Sequence, residues 1–348
     1  MLLWIEGFDA YGTAVGVAAE GLEEVYPIVT GSANMVVRAG RLAQHSIGMR
    51  AGGTGFSDLL TPNLGDVATI IVGFGFRPAG VLTLSIPIEL WEDDNTTRGI
   101  NITLNVDGTA SVRLDGVTLA TSETVFTTNA WHYIELKVAV HNTNGSYELK
   151  INGVTVLSAT GIDTRSGATN NFCNRVRFRS SGSTSIGNEN QFDDIYILDT
   201  TGSTNNDFLG DRKVVTLFPS DNGSQNDFTT SSGGTDNYAL VNDLPIDDST
   251  YVESSTAGHR ELYQFQDLVS VQTINGAQQN VVARKTDVPD FNLELIVKSD
   301  DTVDESEPQV VNSPSYDNYY RVLENDPDTL GPWTPAKLDA AEFGFDIG

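Results

Sequence analysis

The chain has 348 residues, with 20 Lys plus Arg against 47 Asp plus Glu, a net charge of −27 and a pI near 4.2. A surface of that sign repels phosphate backbones and anionic headgroups, which argues against nucleic acid and membrane partners. The single cysteine, Cys173, excludes an intrachain disulfide and a cysteine-based metal cluster, while 39% hydrophobic residues supply enough apolar material for two folded domains of roughly 100–200 residues each.

From the N-terminus, five apolar residues run into Glu6 without a basic leader, so the segment reads as a first strand and not as a secretory signal. Strand-like segments follow at 67–76, 81–90, 99–106, 110–114, 131–140, 146–151, 175–179 and 192–198, rich in β-branched and aromatic residues and bounded by Gly, Asn, Asp and Ser. None approaches the roughly 18 apolar residues of a membrane span. Asp107-Gly108, Asp115-Gly116 and Asn152-Gly153 stand between such segments and supply the positive φ of tight hairpins, so the reading is a run of antiparallel pairs. Within 131–140, alternation puts Trp131, Tyr133, Glu135 and Lys137 on one face and His132, Ile134, Leu136 and Val138 on the core face. Two such sheets make a β-sandwich.

The polar stretch 200–207 sets a boundary, giving domains 1–205 and 206–348. The second is also all-β, with strands expected at 213–219, 238–241, 260–265, 269–274, 279–284, 291–297, 318–323 and 343–347. It carries one short helix, opened by Thr334 as N-cap and Pro335 at the first helical position.

Glycoside hydrolysis needs two carboxylates facing the scissile bond, about 5 Å apart for retention. The acid clusters at 91–94 and 304–307 read instead as solvated loops. There is no Gly-x-Ser-x-Gly, and His45, His132, His141 and His259 lack zinc spacing, so the expectation is a protein that is not an enzyme. Sugar binding uses aromatic faces with amides and carboxylates to fix hydroxyls. Trp91 with Asp93 and Asn95, in what reads as a polar loop, is the candidate glycan contact; Tyr316, Tyr319 and Tyr320 are further aromatic candidates, and Trp333 reads as the residue that pins the helix. Arg175, Arg177 and Arg179 share a face by their spacing of two. They read either as cross-strand partners of acids such as Glu135 and Glu148 or as an interface to a neighbouring protein.

Four segments in order, Glu6-Gly7-Phe8-Asp9, the strand 131–137, the hairpin 147–154 and the closing strand 192–199, resemble the concanavalin A-like lectin/glucanase jelly roll over residues 1–200. The resemblance implies first and last strands side by side and a structural Ca²⁺ as the only candidate cofactor, held by Glu6, Asp9 and Asp194. Alternation would send Asp193 and Asp194 to opposite faces, so only one of them would ligate. The Glu-x-Asp-x-x-Glu of the resembling glucanases does not occur. Segments 214–219, 237–239, 247–252 and 333–345 resemble the C-terminal region of tailed-bacteriophage virion proteins that carry a lectin-like sandwich in front. That resemblance implies a non-enzymatic structural protein on the surface of a phage tail or head, bound to other virion proteins, homo-oligomeric with a trimer favoured, and adhering to host surface polysaccharide. The alternatives are a polysaccharide-degrading hydrolase of the glucanase type and a bacterial carbohydrate-binding module.

Overall fold

Turn chemistry sets the hairpins. Asp115 and Gly116 take φ of 49° and 76°, and Asn152 and Gly153 take 53° and 79°, the paired positive angles that let two strands reverse without splaying. The structure, a computed structural model, describes the whole chain except residues 43, 52–54, 94, 95, 166, 168, 182–186, 247, 271, 272 and 287–289. The chain divides into two units, Met1–Val215 and Thr216–Gly348. Among the described residues no helix is long and apolar enough to cross a membrane.

The first unit opens with β1 (Leu2–Glu6), β2 (Ile28–Thr30), β3 (Met35–Ala39), β4 (His45–Met49) and β5 (Phe56–Leu60). There follow β6 (Thr69–Arg77), β7 (Ser85–Trp91), β8 (Arg98–Leu104), β9 (Thr109–Leu114) and β10 (Val117–Thr124). It closes with β11 (His132–Ala139), β12 (Gly145–Ile151), β13 (Val154–Ile162), β14 (Arg175–Ser181) and β15 (Asn190–Asp199). Two antiparallel sheets result. One has eight strands in the order β13-β12-β11-β6-β15-β4-β3, with β1 also on β15; the other has seven, β10-β9-β8-β7-β14-β5-β2. First and last strands lie side by side, Ile5 opposite Tyr196, as the jelly-roll resemblance implies. Across the sheets Phe74 meets Phe178 edge-on at 5.5 Å, and within the eight-stranded sheet Phe76 meets its cross-strand neighbour Phe192 at 5.1 Å. Each fully buried side chain of this size contributes about 1.5–3 kcal/mol of transfer free energy. His132, Ile134, Leu136 and Val138 face this core as their alternation predicts.

The opposite face of β11 is buried too, with Tyr133 and Glu135 each 2% exposed, because residues 207–214 lie across it. Gly210 N donates to Glu135 Oε1 at 2.8 Å, Leu209 N to the Tyr196 hydroxyl at 3.2 Å and Val214 N to Asp194 Oδ1 at 2.8 Å. Arg41 Nη2 donates to Arg212 O at 2.6 Å, and Lys150 Nζ sits 4.0 Å over the Phe208 ring. These anchors move the domain boundary from the expected 205 to 215: the polar stretch is a turn, but the chain after it still belongs to the first unit. Gly73 makes room beneath, since a Cβ there would lie 2.2 Å from the Tyr196 ring.

The second unit contains β16 (Pro219–Asn226), β17 (Thr229–Thr230), β18 (Val252–Glu253), β19 (Arg260–Phe265) and β20 (Ala277–Ala283). Then come β21 (Phe291–Ser299), β22 (Thr302–Glu305), β23 (Gln309–Val311), β24 (Asp317–Leu323) and β25 (Glu342–Ile347). A six-stranded antiparallel sheet runs β16-β19-β25-β21-β22 with β23 also on β21, and the β20–β24 ladder packs on it. The six-residue helix α1 (Pro335–Ala340) is capped by Thr334, whose side chain accepts from Lys337 N at 3.2 Å. Trp333, 3% exposed, packs with Val297, Leu323 and Phe343 and donates to Leu323 O at 3.2 Å, so it anchors the helix start to the core. Residues expected as a strand at 238–241 instead form a tight turn within Asn237–Leu240.

Candidate functional site

The acids expected to hold calcium are occupied by the protein's own donors. Glu6 accepts from Phe8 N at 2.7 Å, Tyr11 OH at 2.6 Å and Tyr26 OH at 3.2 Å, while burial pushes its carboxyl up against the pull of those donors. Asp9 Oδ1 accepts from His45 N at 2.7 Å. Asp194 is ion-paired to Arg41 at 2.9 Å. A β-bulge between Asp193 and Tyr196, with Asp194 at φ 50°, breaks the expected alternation. Both aspartates therefore meet Arg41, Asp193 through the Arg41 backbone N at 2.7 Å. Ca²⁺ wants six to eight hard oxygens; here a guanidinium and two phenols occupy them, and among the described residues no three metal-ligating side chains gather. Glu6, Asp9 and Asp194 do not fit the ion, which corrects the calcium expectation.

A different cluster lies on the outward face of the seven-stranded sheet. Alternation turns Ile88, Leu90, Val176 and Phe178 into the core and leaves Glu89, Trp91, Arg175, Arg177 and Arg179 on the other side. Strand register then lines up Arg113, Asn101, Glu89, Arg177 and Leu60 in one row across five strands. Arg98, Trp91 and Arg175 form the next. Arg177 Nη2 donates to Glu89 Oε2, which also accepts from Trp91 Nε1 at 2.7 Å. Arg177 Nη1 lies 3.7 Å from Asp58, which pairs with Arg179 at 2.7 Å. Guanidiniums cover the aromatic rings: Arg177 at 4.1 Å and Arg98 at 5.1 Å over Trp91, and Arg179 at 3.9 Å over Phe56. Burial draws Arg177 down to about 10 despite the opposing pull of Glu89.

The arginine stripe thus shares a face, as its spacing predicts. Its partners, however, are Asp93, Glu89 and Asp58, not Glu135 and Glu148, which belong to the other sheet. Trp91 is no loop residue: it ends β7 at 7% exposure, held by Glu89. Asp93 is exposed and pairs with Arg175 at 2.5 Å; Asn95 lies outside the described residues. Beside Trp91 a narrow recess is lined by Glu92, Thr97, Arg98, Phe172 and Cys173, and burial pushes the Cys173 thiol up to about 12. That thiol is packing, not a nucleophile.

Five of the chain's 14 arginines, at 98, 113, 175, 177 and 179, stand in this cluster on a chain of net charge −27, and among the described residues the carboxylates ion-paired to them are Asp58, Glu89 and Asp93, fewer than the guanidiniums. Arg113 Nε and Arg177 Nε find no hydrogen-bond partner among the described residues. The arrangement can present guanidinium forks to carboxylates. Glu89 and Asp58 serve as counter-ions within it. Sequence reading missed Asp58, Glu89, Asn101, Arg98 and Arg113; the alternation Ile88-Glu89-Leu90-Trp91 was the one local signal for Glu89.

No family model matches the chain, and no curated protein matches it in sequence. Among solved structures it is similar to alginate lyase Aly36B, at 11% identity and a TM-score of 0.40 over 56% of this chain and 96% of that one. It is also similar to an endo-β-1,4-glucuronan lyase from the fungus Trichoderma reesei, at 13% identity and 0.38 over 53% and 93%. A third is domain 4 of AbnA, an extracellular arabinanase from Geobacillus stearothermophilus, at 15% identity and 0.37 over 56% and 91%. The likeness is one of fold alone. Polysaccharide lyases and an arabinanase domain stand where virion proteins were expected, which corrects the reading of the chain as a bacteriophage structural component.

Proposed function

We propose that the first unit is a carbohydrate-binding module whose seven-stranded face takes an acidic polysaccharide and does not cleave it. The observation that carries this reading is the arginine cluster: five guanidiniums on one sheet face, with a local excess of positive charge in a strongly acidic chain. Uronate carboxylates match the guanidinium fork in two parallel hydrogen bonds. Rings of Trp91 and Phe56, already stacked by arginine, keep those forks in place. Hydrolysis by a carboxyl pair would call for a carboxyl free to give up or take a proton, whereas Glu89 and Asp58 are each bound to guanidinium groups.

Affinity electrophoresis and calorimetry with alginate, pectate and neutral laminarin test this. Alginate or pectate is expected to bind and laminarin not to, with Arg98→Ala together with Arg175→Ala weakening binding about tenfold or more. Equal affinity for laminarin, or binding untouched by the double substitution, would sink the proposal. Appearance of new chain ends in either acidic polymer would refute its non-catalytic part.

A further inference from the structure

The β20–β24 ladder of the second unit has two chemically distinct sides. It pairs in unbroken register from Ala277 opposite Leu323 to Ala283 opposite Asp317, so alternate residues separate cleanly. One set faces the six-stranded sheet. Tyr319 packs with Leu293, Leu295 and Val311, Gln279 Nε2 donates to Gly344 O at 2.5 Å, and Arg321 Nη1 donates to Leu295 O at 3.2 Å and Asp304 O at 3.0 Å. The other set is Gln278, Asn280 and Val282 on β20 and Asn318, Tyr320 and Val322 on β24. Arg284 and Tyr316 continue it one step beyond the paired residues, the guanidinium 4.6 Å over the ring.

Every member of this second set is half-buried or exposed. In a chain with 47 acids, none of its eight side chains is a carboxylate. Asn280, exposed, stands opposite Tyr320. Its Oδ1 accepts from Gln278 Nε2 at 3.0 Å and from Asn318 Nδ2 at 3.3 Å, so the three amides form one ordered group beside the ring. From Gln278 to Arg284 the file extends about 20 Å at about 3.4 Å per residue.

We propose that this face binds a neutral oligosaccharide, as a second carbohydrate site separate from the arginine cluster. Sugar C–H faces pack on an aromatic ring, and amides both donate to and accept from hydroxyls. With no carboxylate among the eight side chains, a sugar over them desolvates no acid of the set itself, Asp248 standing near its Tyr316 end, and the single cation of the set, Arg284, is already seated on Tyr316.

The test is calorimetry on the full chain with cellohexaose, xylohexaose and laminarihexaose. At least one is expected to bind with a dissociation constant on the order of 0.1–1 mM, and both Tyr320→Ala and Asn280→Ala are expected to weaken it about tenfold or more. Asn280 is exposed, so its substitution reads binding independently of folding, and melting curves check the tyrosine variant. Absence of binding by all three probes overturns the proposal, as does binding that survives both substitutions. A matching loss in Arg98→Ala would move the site to the first unit and also overturn it.

Discussion

At the scale of single residues, the cost of losing an arginine depends on how deeply its ion pair is buried, and Arg177 is the extreme case. It is sunk between Glu89, Asp58 and the Trp91 ring, with its side chain and that of Glu89 only 6% and 4% exposed. Removing it leaves a carboxylate buried without its cation, which typically costs about 3–5 kcal/mol. Arg98 differs: it lies exposed over the same indole, and such a contact is worth about 0.5–1 kcal/mol. Urea denaturation should therefore show Arg177→Ala losing several-fold more stability than Arg98→Ala. Similar losses for the two would mean that the Glu89 pair is not desolvated as described.

At the scale of elements, the segment 207–214 and the bulge in β15 form one device. No strand pairing holds the segment; buried side chains on the sheet reach up to its backbone amides and carbonyls. The bulge brings Asp193 and Asp194 together there. Burial, then the neighbouring Asp194 charge, pushes Asp193 up to about 8, against the amides of Arg41 and Asp194 that favour its ionised form. An unfolded aspartate titrates near 3.9. Between these values the folded state holds the extra proton, so stability is fully present at the acid end of the window and falls as pH rises through about 8. Melting temperatures of the first unit should decline from about pH 5 to about pH 9, and Asp193→Asn, which cannot ionise, should flatten that decline. A decline of equal slope in the variant would assign the effect to other groups.

At the scale of the whole molecule, a net charge of −27 surrounds the local excess on the arginine face. The long-range field repels a polyanion, while the local guanidiniums attract it. Salt separates the two, because the Debye length is about 30 Å at 0.01 M, about 10 Å at 0.1 M and about 3 Å at 1 M. Alginate affinity is therefore expected to rise from about 0.01 M to about 0.1 M salt as the overall repulsion is screened, then to fall toward 1 M as the contacts themselves weaken. A steady fall over the whole range would show that the acidic surroundings do not reach the site.

Legible in the residues alone were the all-β class, the hairpin turns at Asp115-Gly116 and Asn152-Gly153, the core face of β11, the neighbouring first and last strands, the capped helix at Thr334, and the common face of Arg175, Arg177 and Arg179. Each of these but the strand neighbourhood, which came from family resemblance, follows from forces acting over a few residues: alternation, φ preference and end capping. Which acids meet the arginines was settled by long-range strand packing, because β14 lies between β7 and β5, far away along the chain. Such packing also decided that Trp91 sits in a strand against Glu89, that a bulge defeats the alternation of Asp193 and Asp194, and that Tyr11, Tyr26 and Arg41 take the oxygens a calcium ion would need. The boundary moved from 205 to 215 for the same reason: a polar stretch announces a turn, but whether the chain beyond it is held depends on buried partners such as Glu135 and Asp194, which pack there from distant strands.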